Sequence, residues 1–130
     1  MENINNKGVT LVETIVAIAV IVIISVVGYS VCSFSVMQQQ KLLRKNFFIN
    51  ETHNILACYY SPENDFEDNM IFLTGNSDID YSSDFVLYYT KNYDYALNMD
   101  NSTYYLTFTY NDSIKVYKSN NNTLIYDVEV

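Results

Sequence analysis

Tryptophan is absent from this 130-residue chain, proline and histidine occur once each, cysteine twice and glycine three times. A single histidine, His53, excludes a His-based metal cluster or a Ser-His-Asp triad within one chain. Cationic charge is also scarce, with seven Lys and Arg against fifteen Asp and Glu and a formal net charge of -8. Nearly all the acid follows residue 50, so the chain repels nucleic-acid phosphates and direct nucleic-acid binding is not expected. The lone proline, Pro62, leaves everything before it without an obligatory helix breaker. If Cys32 and Cys58 share one helix they stand about 39 Å apart, and a disulfide needs Cα atoms within about 7 Å. They read as small apolar packers, with an intermolecular bridge through Cys58 left open.

Charge of either sign is missing from Thr14 to Gln40. Within and before that stretch, Val9 to Val27 is dominated by Val and Ile, long enough to cross a hydrocarbon core of about 30 Å as a helix. β-branched residues are mediocre helix formers in water, but in lipid the backbone must satisfy its own hydrogen bonds. Glu13 is the anomaly, because a carboxylate at such a place is expensive without a partner. A secretory signal peptide competes, although its apolar region runs about 7 to 15 residues. A plain single-pass anchor also competes, whereas Tyr29-Ser30-Val31 before Cys32 is no lipoprotein box. Lys41, Arg44 and Lys45 follow the apolar run and only Lys7 and the initiator amine precede it, so a positive-inside count places the N-terminus outside.

Lys7-Gly8-Val9-Thr10-Leu11-Val12-Glu13 resembles the N-terminus of type IV pilins and pseudopilins, whose precursors carry a short leader ending in glycine and a glutamate at the fifth mature position. Counted from Val9, Glu13 is that fifth residue. The close resemblance covers residues 7 to 30. It implies cleavage between Gly8 and Val9 by a prepilin peptidase, methylation of the new Val9 amine, and a cytoplasmic N-terminus, against the lysine count. It also implies that Glu13 meets the N-terminal amine of a neighbouring subunit. Val9 stands where the family usually has phenylalanine or methionine, and Ser30 where many members carry a kink-forming proline.

The helix is expected to run to about Tyr60, where Ser61-Pro62 stops it. Phe48, Thr52, Ile55 and Tyr59 recur at helical spacing with Leu56 beside them, a face made to pack on a sheet. After Pro62 the period changes to two: Tyr104, Leu106, Phe108 and Tyr110 share one face of a strand over 103–110. Asn111-Asp112 predicts a tight hairpin into Ser113 to Lys118, with Ile114 and Val116 inward. A loop over 119–122 leads to a last strand, 123–130, with Leu124, Tyr126 and Val128 on one face. Phe85 to Thr90 is a fourth strand; Met70 to Thr74 and Tyr93 to Met99 are weaker candidates. The fold class is α+β, a long N-terminal helix packed on a small antiparallel sheet of about four strands. The expected divisions are a leader at 1–8, a transmembrane or filament-core helix at 9–30, an amphipathic stalk at 31–60 and a β-rich domain at 61–130.

Asn76, Asp78, Asp80, Ser82 and Asp84 alternate like an oxygen-rich calcium loop, but Tyr81 and Leu87 replace its glycine and bidentate glutamate, so a solvated loop is expected. No metal site, cofactor or catalytic residue is expected, and the chain is not read as an enzyme. The basic cluster Lys41, Arg44, Lys45 reads as a headgroup contact or solvated helix face. The resemblance implies a minor pilin-like subunit of a type IV pilus, a competence pseudopilus or a secretion pseudopilus. Its implied partners are the prepilin peptidase, other pilins, an assembly platform, an ATPase and the membrane. Its implied location is the bacterial cell membrane, and the cell surface once assembled. The alternative is a membrane-anchored or filament-tip binding module, in which Tyr88, Tyr105 and Tyr117 stack on a surface, a glycan or DNA.

Overall fold

The computed structural model describes residues 4–62 and 65–130, with side chains from Thr10 onward. The chain divides into two compact units, Met1–Leu42 and Leu43–Val130. Helix α1, Ile4–Tyr59, is continuous in hydrogen bonding through Gly28 and Ser30 and crosses that division. It ends where the sequence places its stop: Tyr60 N–H still reaches Leu56 O at 2.9 Å, and the chain then leaves the helix at Ser61 and Pro62. Proline disfavours helix at the residue before it, which fixes this terminus.

In the C-terminal unit, α2 (Phe66–Thr74) precedes five antiparallel strands: β1 (Phe85–Tyr89), β2 (Tyr95–Ala96), β3 (Tyr104–Thr109), β4 (Ser113–Lys118) and β5 (Thr123–Glu129). Their spatial order is β2-β1-β3-β4-β5. The α+β class is as expected, and the sheet gains a strand because Tyr95–Ala96 pairs with Tyr88 and Tyr89. Met70–Thr74 is not a strand but the second half of α2. Phe66 and Leu73 pack on the core beside buried Met70, a helical spacing that a five-residue reading window is too short to reveal. Glu67 and Asp68 occupy the first turn of α2, where carboxylates complement the helix dipole. Gly75, left-handed at φ 67°, closes it by donating to Ile71 O at 2.8 Å.

The buried face is the one the alternation marks. Phe48, Thr52 and Ile55 from α1 are buried in the same unit as Phe85, Leu87 and Tyr89 of β1, Tyr104, Leu106 and Phe108 of β3, and Ile114 and Val116 of β4. Fully burying side chains of this size stabilises a fold by roughly 1.5–3 kcal/mol each. Rings interlock within this core: Phe85 stacks on Phe108 at 5.0 Å, and Phe48 meets Tyr89 edge-on at 5.4 Å.

Two local readings change. The β3–β4 connection uses three residues, Tyr110 to Asp112, with Asn111 left-handed at φ 55°. In β5, Leu124 is exposed while Ile125 packs against the core. Val116 pairs with Tyr126 but Tyr117 pairs with Leu124, so Ile125 is the extra residue of a β-bulge and the strand changes phase there. Tyr126 and Val128, beyond the bulge, lie against the core as the alternation requires.

Candidate functional site

The candidate site is the N-terminal stretch of α1. Every described side chain from Thr10 to Leu43 is exposed, including Leu11, Ile15, Ile18, Ile21, Val22 and Ile24. The described part of this helix, Thr10–Tyr59, is long and apolar enough to cross a membrane, and none of its most apolar window is buried by the chain itself. An apolar surface of that size needs a cover of lipid or protein. A Cβ added at Gly28 would meet nothing within 4 Å, so this glycine is not demanded by a close approach inside the chain.

Three hydroxyls of this stretch are satisfied along their own helix. Thr14 Oγ1 donates to Thr10 O at 2.7 Å, Ser25 Oγ to Ile21 O at 2.8 Å and Ser30 Oγ to Val26 O at 2.9 Å. Back-bonding of this kind gives each of these hydroxyls an acceptor in an apolar medium. Glu13 is different: it is exposed on the same helix, and no cation pairs with it among the described residues. The residues from which its register is counted, Gly8 and Val9, lie with Lys7 outside the residues whose side chains are described.

A second carboxylate was not legible beforehand. Glu51 is 8% exposed, and its Oε1 accepts from Tyr89 Oη at 3.0 Å and from Tyr95 Oη in a short hydrogen bond. Its three-residue spacing from Phe48 and four-residue spacing to Ile55 is the available signal, since both neighbours are fully buried. Burial first, and then Glu51, push the phenols of Tyr89 and Tyr95 above the ordinary tyrosine range. Burial, followed by the Glu51 charge, also raises the Cys58 thiol, which keeps it protonated. Cys32 is exposed.

The acidic loop before β1 is organised around backbone amides. Asn76 Oδ1 accepts from Asp78 N at 2.9 Å, Asp80 Oδ1 from Ser82 N at 2.9 Å, and Asp84 Oδ1 from Tyr110 N at 2.9 Å. The Ser82 hydroxyl and then its amide hold the Asp80 carboxyl below its usual range. Tyr81 is fully buried and bonds Thr74 Oγ1 at 2.7 Å, so the residue at the glycine position of a calcium loop belongs to the core. Among the described residues no three His, Cys, Asp or Glu side chains converge.

Tyr88, Tyr105 and Tyr117 form one row across β1, β3 and β4. Tyr105 and Tyr117 stack at 5.0 Å with planes 18° apart, turning their faces on each other, and Tyr105 Oη donates to Asn122 Oδ1 at 3.1 Å. Such cross-strand pairing stabilises the sheet and takes up the faces that Tyr105 and Tyr117 turn toward each other.

Residues 3–29 match a family model described as the prokaryotic N-terminal methylation motif. That match, on a helix whose apolar surface is uncovered, supports the type IV pilin and pseudopilin family for this chain. Comparison with curated proteins and with solved structures finds no match. The motif points to a structural subunit, to membrane anchoring, to processing by a prepilin peptidase and to assembly with other pilins.

Proposed function

We propose that this chain is a minor subunit of a type IV pilus, a competence pseudopilus or a secretion pseudopilus. Residues 1–8 are its leader, cut between Gly8 and Val9, and the Val9 amine is methylated. The subunit waits in the bacterial membrane as a single-pass protein with its N-terminus in the cytoplasm. An assembly ATPase and its platform protein then draw it into a filament at the cell surface.

The observation that carries this reading is one register. Counted from the proposed cut after Gly8, Glu13 is the fifth residue, inside a stretch that matches the methylation motif over residues 3–29 and on a helix whose apolar side chains from Thr10 to Leu43 find no cover in their own chain. In the filament, Glu13 pairs with the new amine of a neighbour, so two charges that are unfavourable in an apolar core neutralise each other. Stranding one partner of such a buried pair costs about 3–5 kcal/mol. Cell fractionation of Glu13→Leu and Gly8→Ala tests this. Both variants are expected to stay in the membrane fraction, the second of them uncut. Wild-type assembly of both would refute the proposal.

A further inference from the structure

Lys41, Arg44 and Lys45 place three of the seven basic residues within five positions. They directly follow the charge-free run Thr14 to Gln40, while all but Glu2 and Glu13 of the fifteen acidic residues come later in the chain. The structure divides this cluster. Arg44 is partly buried, with its guanidinium carbon 5.9 Å from the centre of the Tyr104 ring, whereas Lys41 and Lys45 are exposed. One helical turn separates the two lysines, so they share a face, and exposed Leu42 and Leu43 lie between them in sequence.

From Thr14 to Met37 the helix covers about 36 Å at 1.5 Å per residue, slightly more than a hydrocarbon core of about 30 Å. With Glu13 at one headgroup layer, Lys41 lies about 42 Å further along the helix, the thickness of a bilayer with both headgroup regions, so its turn emerges among the lipid phosphates. Lysine stems lie along apolar surface while their ammonium groups stay wet, which suits that depth. We infer that Lys41 and Lys45 bind anionic phospholipid headgroups and hold the unassembled subunit at a fixed depth. This rests on the reading of α1 as membrane-spanning. Charge complementarity selects the ligand: the turn is cationic, while the chain beyond it carries only Lys91, Lys115 and Lys118 against its acid and repels the same phosphates.

The test uses the full chain reconstituted in phosphatidylcholine vesicles containing about 30 mol % phosphatidylglycerol, with spin-labelled probes of each lipid. Lipid held at the protein surface gives a motionally restricted signal. The restricted fraction is expected to favour phosphatidylglycerol by about fivefold per lysine, and about 1 M salt should remove the preference. K41Q/K45Q should lose most of it, while Arg44→Gln should retain it. Equal restriction of the two lipids, or an undiminished preference in K41Q/K45Q, would overturn the inference and leave the membrane reading standing. No restricted signal from either lipid would overturn the membrane reading and the inference with it.

Discussion

Two stretches of this chain use the same kind of residue in opposite ways. From Thr10 to Leu43 the apolar side chains face outward, and from Leu43 onward Phe48, Ile55 and their partners are buried within their own unit. The first stretch back-bonds Thr14, Ser25 and Ser30 to its own carbonyls and leaves its apolar surface for something else to cover. The second carries its own cover, an aromatic core built on a sheet. Apolar content alone therefore does not separate a core from an interface. What separates them is whether alternating or helical spacing elsewhere in the chain supplies a matching face.

Identical truncations should expose this contrast most sharply. Phe48→Ala removes a fully buried ring and is expected to lower domain stability by about 3–5 kcal/mol, read as thermal unfolding by near-ultraviolet circular dichroism in detergent. Val20→Ala, on the exposed stretch, should leave that transition in place. Equal effects would erase the distinction between the two regions.

Glu51→Ala comes next in size. It leaves the hydroxyls of Tyr89 and Tyr95 without their acceptor, and a buried unsatisfied group costs about 1–3 kcal/mol. Glu51→Gln keeps an acceptor oxygen and should cost less. If the two variants melt together, the hydrogen bonds are not what Glu51 contributes.

Alkali should act on the same cluster. The Tyr89 and Tyr95 phenols titrate higher in the folded chain than the unfolded value of about 10. The stability they contribute is complete below about pH 10 and is lost as pH rises from there toward their folded values. A melting temperature that stays flat above about pH 10 in the wild type would contradict this. The smallest effect belongs to the stacked outer pair. A double-mutant cycle on Tyr105→Ala and Tyr117→Ala should return a coupling of about 0.5–1.5 kcal/mol, and a zero coupling would leave those faces available to a ligand.

Much of the fold was legible because periodicity is a local signal. The helical spacing of Phe48, Thr52 and Ile55 and the alternation of Tyr104, Leu106 and Phe108 name the buried faces correctly. α2 was not legible, because Met70 to Thr74 is too short for one period to outrank another. Ile125 was not, since a bulge is set by pairing across strands rather than by the strand's own sequence. Glu51 finds its two tyrosines 38 and 44 residues away, and only tertiary structure brings them together. At the candidate site the register from Gly8 to Glu13 is readable in the sequence, while the partner assigned to Glu13 belongs to another subunit.

The central claim is that register, and the mass of the N-terminus of the chain recovered from membranes tests it most directly. The account predicts a chain beginning at Val9 and carrying one added methyl group. A chain beginning at Met1, as a plain anchor would, or one cut after the apolar run, as a secretory signal would be, contradicts it.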